Sequence, residues 1–192
     1  GFTCLMQIST RQDDFLIDTL KLRSEMYRLN EIFTDWTLTK ILHGSDYDIE
    51  WLQKDFGIYV VNMFDTGQAC RVLQFPHYSL SYLLQRYCGV NAQKQFQLAD
   101  WRQRPLSNEM IKYAREDTHY LMYIYDHLRK ELYKSNNDLE NKLKQVYEKS
   151  NLLCKKVYKK PTTYTKGFLN LCQNNAHLNS KQLKALDDLY KW

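Results

Sequence analysis

Residues 41–52 read ILHGSDYDIEWL and join a short β-type run to the start of a helical pattern. Ile41–His43 is an apolar run typical of a strand, and residues 46–56 have apolar positions at helical spacing. A strand that leads directly into a helix is the unit from which α/β folds are built. This stretch therefore predicts an α/β fold.

The rest of the chain extends this pattern in its first part and changes after Asp65. Further β-type runs are Cys4–Ile8, Phe15–Ile17 and Tyr59–Phe64, and helical patterns lie around residues 19–30 and 66–74. Beyond Asp65 only helical periodicity is clear, at residues 80–87, 110–124 and 138–158. Pro161 is expected to end the last of these, and Asn179 or Ser180 to cap a final helix. The second half is therefore predicted to be helical.

Composition excludes several classes of protein. The 192 residues are 44% hydrophobic and 14% aromatic, which excludes intrinsic disorder, and no apolar run is long enough for a membrane span. The five cysteines form no C-x-x-C pair, which argues against a zinc module and a disulfide framework and favours a reducing compartment. Because Gly1 opens the chain without a leader, we expect a longer natural protein.

Charge is distributed unevenly. Residues 1–128 contain 13 Lys and Arg against 16 Asp and Glu, whereas residues 129–192 contain 14 against 6. A basic segment beside a mildly acidic domain suits a protein that holds a polyanion and also gathers carboxylates for metal chemistry. The alternative is a solvated helix face, which charge alone favours.

Acidic residues are the main candidates for chemistry, because the chain lacks a Gly-rich phosphate loop, an H-E-x-x-H motif and a G-x-S-x-G elbow. Tyr113 and Asp117 are four residues apart in a helical stretch, so they share one face. The spacing alone favours the alternative, a core tyrosine beside a solvated or capping acid. Residues 97–106 form a second unusual string, for which we expect a structural clasp with Trp101 buried and Asp100 paired with Arg104.

Two aspartates follow predicted strands. Asp48 either presents a metal-binding oxygen from a rigid strand-to-helix turn or completes a capping box with Ser45 as N-cap. Asp65 precedes Gln68 by three residues, which predicts an N-cap and no chemical role.

Four ordered blocks, residues 43–53, 59–66, 97–106 and 113–121, resemble the eukaryotic ribonuclease D-type (DEDD-Y) exoribonucleases of the nuclear exosome. The resemblance implies a 3′-to-5′ exonuclease on a ribonuclease H-like fold, followed by a helical connector and an HRDC domain. The implied domains are residues 1–134 for the exonuclease, 135–177 for the basic connector and 178–192 for the start of the HRDC domain.

The family's functional residues are transferred here position by position. The resemblance implies that Asp48 and Asp117 hold divalent metals, Mg²⁺ or Mn²⁺, with two ions in the intact enzyme. It implies that Tyr113 orients the attacking water, that Trp51 lies beside the terminal nucleotide and that Lys94 lies near the substrate phosphate.

The family's first motif, an Asp-x-Glu pair on the first strand, lies upstream of Gly1. We therefore expect this chain alone to be inactive, and expect two strands of its sheet to lack the neighbour between them.

The implied activity is hydrolysis of single-stranded RNA from its 3′ end during processing of ribosomal and other structured RNA precursors. The implied partners are the nuclear exosome core and its cofactors, without a membrane, in the nucleus and nucleolus. The alternatives are a DEDD-Y DNA exonuclease and a non-catalytic RNA-binding module. Digestion of matched RNA and DNA would separate the first alternative from an exoribonuclease.

Overall fold

The computed structural model describes residues 1–92, 95–135, 141–160 and 179–191. The chain divides into two units, Gly1–Val157 and Tyr158–Trp192. The described residues of the first unit form four strands, β1 (Met6–Ser9), β2 (Asp14–Ile17), β3 (Lys40–Leu42) and β4 (Met63–Asp65). Its helices are a 3₁₀ helix (Arg23–Leu29), α1 (Asn30–Phe33), α2 (Asp46–Phe56), α3 (Thr66–Val72), α4 (Leu80–Cys88), α5 (Asn108–His119), α6 (Leu121–Lys134) and α7 (Lys142–Cys154). The α/β prediction is confirmed.

The strands form two pairs. β1 and β2 are antiparallel, with Met6 opposite Ile17 and Ser9 opposite Asp14. β3 and β4 are parallel, with Leu42 opposite Asp65. Within the described residues the two pairs are separate two-stranded sheets, and no strand follows β4.

β4 is shorter than the apolar run that predicted it. The run begins at Tyr59, whereas the strand begins at Met63. Asn62 has a φ of 54°, in the left-handed region, which ends extended backbone just before the strand. Its side-chain amide donates to the carbonyl of Trp36 at 2.8 Å and stabilises this conformation. Ile58 and Val60 are nevertheless buried, which explains why the apolar pattern extends beyond the strand.

Two hydrophobic clusters lie on opposite sides of β4. Phe64 belongs to the cluster with Leu83, Ile124 and Val146, from α4, α6 and α7. Met63 belongs to the cluster that includes residues of α2. Neighbouring side chains of a strand point to opposite faces, so β4 is covered on both sides. The packing of α7 against β4 and α3 makes it part of the first unit.

The second unit contains α8 (Ser180–Lys191). The Asn179 side-chain oxygen accepts from the backbone N–H groups of Lys181 and Gln182, both at 3.0 Å. The Gln182 side chain accepts in return from the Asn179 N–H at 2.9 Å, which completes a capping box. The predicted cap is thus confirmed and assigned to Asn179. The helix predicted over residues 138–158 ends earlier, at Cys154, so the prediction that Pro161 ends it is wrong. Pro161 itself lies outside the described residues.

In the part of the chain that the structure describes, no helix is long and apolar enough to cross a membrane.

Candidate active site

Helix α2 carries Asp48 in its first turn and Trp51 in its second. The helix ends where Gly57 adopts a left-handed φ of 63°, a conformation that glycine takes without steric cost. The predicted capping box at its start is wrong, because the Ser45 side chain makes no hydrogen bond to the helix. It bonds instead to a residue of the next strand.

That residue is Asp65, whose side chain is fully buried. One carboxylate oxygen, Oδ2, accepts from the Ser45 N–H at 2.8 Å and from the Ser45 hydroxyl at 2.7 Å. The other, Oδ1, accepts from the N–H groups of Gly44 at 3.2 Å and Gln68 at 3.0 Å. The predicted N-cap to Gln68 is confirmed. Asp65 also fixes the turn that leads into α2.

Helix α5 carries Tyr113 and Asp117. Ser107 caps its start, accepting from the Met110 N–H at 3.2 Å. Near its end the Thr118 hydroxyl lies 2.7 Å from that of Ser9 on β1. The helix is thus capped at its start and attached to β1 near its end.

Asp14 on β2 strengthens the anchor at the end of α5. Its carboxylate binds Arg115 at 3.1 Å and His119 at 2.9 Å. Burial raises the pKa of Asp14, whereas hydrogen bonds from Ser9, Arg115 and His119 lower it, and the net shift is downward. Asp14 is therefore held as a carboxylate against the helix that carries Asp117.

A cavity of about 630 Å³ brings three predicted site residues together. Trp51 of α2 and Tyr113 and Asp117 of α5 all line it. The Tyr113 ring packs between Phe96 at 5.7 Å and Trp101 at 5.9 Å, measured between ring centroids. Asp48 is not among the described residues that line the cavity. The remaining lining residues are Gly1–Leu5, Gln7, Lys54, Asp55, Gln97, Ala99, Asp100, Trp101 and Arg102.

The predicted clasp in residues 97–106 exists with different partners. Asp100 pairs with Arg102 at 2.7 Å, and Arg104 pairs with Asp18 at 2.8 Å, so the expected Asp100–Arg104 pair is wrong. The guanidinium of Arg104 reaches across to the β1–β2 region and also donates to the carbonyl of Cys4 at 2.9 Å. Trp101 is half-buried rather than fully buried.

Asp48 and Asp117 each lie in an unusual electrostatic environment. Burial raises the pKa of each to about 6, assisted at Asp48 by the charge of Asp65 and at Asp117 by that of Glu116. Burial, followed by the charge of Asp117, also raises the pKa of Tyr113. No residue in the described ranges donates a hydrogen bond or forms an ion pair with either carboxylate. Two desolvated carboxylates without donors are suited to binding a cation.

Comparison with known proteins identifies the fold and the family. The family model for the 3′-5′ exonuclease matches residues 1–133. The chain belongs to the 3′-5′ exonuclease family. It is 55% identical over 193 aligned residues to exosome complex component 10 of Rattus norvegicus and 49% identical over 197 to protein RRP6-like 2 of Arabidopsis thaliana. All of this chain is covered in both cases, but only 22% and 23% of those relatives.

Two solved exonuclease structures are similar to the whole architecture. The catalytic core of RRP6 from Trypanosoma brucei is 42% identical, with a TM-score of 0.80, over all of this chain and 52% of the other. RNase D of Escherichia coli, 24% identical, has a TM-score of 0.71 over 98% of this chain and 48% of its own, and shows the fold alone. The ribonuclease H-like 3′-5′ exonuclease fold predicted from the sequence is thereby confirmed.

Two predicted features of the exonuclease site have no structural description. Lys94 lies outside the described residues. Within those residues, no group of three or more His, Cys, Asp or Glu side chains is placed to hold a metal ion.

Sequence reasoning missed the second role of Asp65. The signal for it was that β3 and β4 are consecutive strands whose ends, at Gly44-Ser45 and Asp65, meet at one edge of a parallel pair.

Proposed function

We propose that the full-length protein is a 3′-to-5′ exoribonuclease that works with the nuclear exosome on ribosomal and other structured RNA precursors. The observation that carries this proposal is the common cavity of Trp51, Tyr113 and Asp117 in a chain 55% identical to a protein named exosome complex component 10. Single-stranded RNA 3′ ends are the proposed substrate.

Each residue of the proposed site has a role that suits the chemistry of its side chain. The flat ring of Trp51 offers a stacking surface for the terminal base. The hydroxyl of Tyr113 orients the attacking water by a hydrogen bond, a role that needs no ionised phenol. Lys94 remains our candidate for contacting a substrate phosphate.

Asp48 and Asp117 are the proposed metal ligands. Their carboxylate oxygens, desolvated and without described donors, match the hard oxygen ligands that Mg²⁺ and Mn²⁺ prefer. Two such ions supply Lewis acidity toward the phosphodiester when bound. The other two acids are proposed to be an Asp-x-Glu pair on a strand upstream of Gly1, as the family resemblance implies. That strand is proposed to lie between β1 and β3.

The remaining parts of the proposal concern organisation and location. We retain residues 1–134 as the exonuclease domain, 135–177 as the connector and 178–192 as the start of an HRDC domain, with α7 of the connector packed on the exonuclease fold. The exosome core and its cofactors are the proposed partners, in the nucleus and nucleolus.

The test is digestion by the full-length protein. RNA and DNA oligomers of one sequence are labelled at the 5′ end and incubated with Mg²⁺, with Mn²⁺ and with EDTA. We expect a ladder that shortens from the 3′ end on RNA, dependent on the ion. Equal or faster digestion of DNA would favour the DNA exonuclease, and no digestion of either would favour a non-catalytic RNA-binding module.

A further inference from the structure

Helix α2 presents two exposed aromatic side chains, Tyr47 and Trp51, which we call the aromatic ledge. Their ring centroids are 5.8 Å apart and the ring planes differ by 21°, so the rings are stacked. Tyr47 is 67% exposed and Trp51 51% exposed. Single exposed aromatics are common, but a stacked pair left in solvent is a preformed surface for another flat ring.

The ledge is continuous with the cavity at one end only. Trp51 lines the cavity together with Tyr113 and Asp117, whereas Tyr47 is not among its lining residues. Tyr47 and Trp51 are four positions apart on α2, a distance of about 6 Å along the helix axis. The ledge therefore extends from the cavity out over the surface, along a path that an RNA strand entering the cavity could follow.

Charge around the ledge decides what it contacts. Asp46 and Glu50 lie on the same helix, and the ammonium of Lys156 binds Asp46 at 2.6 Å and is also attracted by the charge of Glu50. The charge of Lys156 is thus already matched by carboxylates of α2. This environment does not attract phosphate strongly, but it leaves the apolar ring faces available to a nucleobase.

We propose that Tyr47 is a second base-stacking residue, and that the ledge binds unpaired nucleobases of single-stranded RNA with Tyr47 contacting a base farther from the 3′ end than the one at Trp51. This inference rests on the proposed function, because it takes RNA as the ligand of the adjacent cavity. A base-stacking residue of this kind is expected to tolerate any base, since every base has a π-face.

The test measures RNA binding by the full-length protein in the absence of divalent ions. The probe is a 5′-fluorescein adenosine 12-mer, used intact and with one abasic nucleotide at each of the last five positions in turn. Replacing Tyr47 by Ala should weaken binding of the intact 12-mer by about 5- to 100-fold, as loss of one stacked base predicts. Tyr47→Phe should bind as wild type does, and Tyr47→Leu should lose affinity despite its apolar side chain.

The abasic series separates direct stacking from a structural effect. In wild type, one abasic position behind the terminal nucleotide should reduce affinity, and Tyr47→Ala should abolish that particular reduction. Trp51→Ala should abolish the reduction at a different position, nearer the 3′ end. Tyr59→Ala is the matched control, since Tyr59 is 56% exposed and lies outside α2, and it should leave every value unchanged.

Two results would overturn the proposal. Unchanged affinity in Tyr47→Ala would show that the outer ring contacts no base. If Tyr47→Ala and Trp51→Ala abolish the affinity reduction at the same abasic position, Tyr47 only orients Trp51. Digestion of the intact 12-mer by the wild type with Mg²⁺ is measured in parallel. If the expected effects of the abasic positions are observed but the 12-mer is not digested, the proposed nuclease function is contradicted, whereas the proposed base stacking by Tyr47 is supported.

Discussion

The carboxylate of Asp65 at the end of β4 accepts both the backbone N–H and the side-chain hydroxyl of Ser45, the residue that precedes α2. The two residues are brought together by the parallel pairing of β3 with β4, in which Leu42 lies opposite Asp65. The first turn of α2, with Asp48, is thereby attached to the strand beside it. A residue with no proposed role in catalysis thus fixes the turn that carries a proposed metal ligand.

We predict that Asp65→Ala loosens the start of α2. The N–H groups of Gly44, Ser45 and Gln68 would lose a buried acceptor, at a cost of about 1–3 kcal/mol for each group left unsatisfied. Hydrogen exchange, followed by mass spectrometry on the full-length protein, should therefore accelerate at least tenfold in the first turn of α2. The exposed Asp13→Ala is the control. Unchanged exchange in α2 would mean that other contacts suffice to hold the turn.

Removing a proposed metal ligand should abolish hydrolysis while leaving RNA binding largely intact. Asp48→Asn and Asp117→Asn keep the shape of each side chain but remove the charge that a divalent ion requires. In the full-length protein, single-turnover cleavage should fall by orders of magnitude. Asp13→Asn is the control and should cleave normally. Cleavage near the wild-type rate by either site variant would refute its assignment as a ligand.

Tyr113→Phe tests the role of the hydroxyl alone. The ring packing against Phe96 and Trp101 is retained, so substrate binding and KM should change little. Loss of the group that orients the water should lower kcat by about 100-fold or more. Tyr123→Phe, at an exposed tyrosine of α6, provides the matched control. A rise in KM at constant kcat would instead assign Tyr113 to substrate binding.

The raised pKa values of Asp48 and Asp117 predict a specific dependence of stability on pH. Their pKa of about 6 in the folded protein lies above the ordinary value of 3.8, so the folded state retains protons that the unfolded state has released. Metal-free protein should therefore lose stability as pH rises from about 4 to about 6. At pH 7, Asp48→Asn should be more stable than wild type, by up to about 3 kcal/mol.

Thermal unfolding of the full-length protein across this pH range, with and without Mg²⁺, tests that dependence. Mg²⁺ should raise the Tm of wild type and have little effect on Asp48→Asn. The prediction is contradicted if, without metal, the Tm of wild type rises between pH 4 and pH 6 by more than the Tm of Asp48→Asn does. That result would show that the ionised carboxylate of Asp48 does not destabilise the fold.

The basic segment allows a prediction about salt. Lys155, Lys159 and Lys160 are exposed, whereas Lys156 is paired with Asp46. Replacing the three exposed lysines by Gln should weaken RNA binding and flatten its salt dependence, by up to ~0.7 in slope for each phosphate that is no longer neutralised. Adding Lys156→Gln should change the slope little. The control replaces Lys21, Arg28 and Lys112, which are exposed and lie outside the cavity lining, by Gln. An equal effect there would show that only net charge matters.

The elements of the fold were predictable where local chemistry decides them. Helix α2 has the predicted bounds, residues 46–56, because its apolar spacing and Gly57 both act within a few residues. The start of β4 was not predictable, because it depends on the left-handed conformation of Asn62. That conformation is stabilised by a contact to Trp36, 26 residues away.

The candidate site shows the same division. The four-residue spacing of Tyr113 and Asp117 correctly places both on one cavity, since both lie on one helix. The partner of Ser45 was predicted wrongly, because the local rule assigns its hydroxyl to the helix that follows. The hydroxyl binds Asp65 instead, and only the register of β3 against β4 determines this. The residues that share a helix can therefore be predicted from local sequence, whereas the contacts of the Asp65 carboxylate depend on how the strands pair.

The hydroxyl of Ser150, on α7, accepts from the backbone N–H of Asp65 at 3.0 Å and donates to the Val146 carbonyl at 2.8 Å. The residue that fixes the turn before α2 is therefore itself held by a helix beyond the end of the family match at residue 133. A nuclease module trimmed at Lys134 would lose this support and leave a buried amide without an acceptor. The smallest portable unit for grafting or chimera design accordingly extends through α7 to Val157.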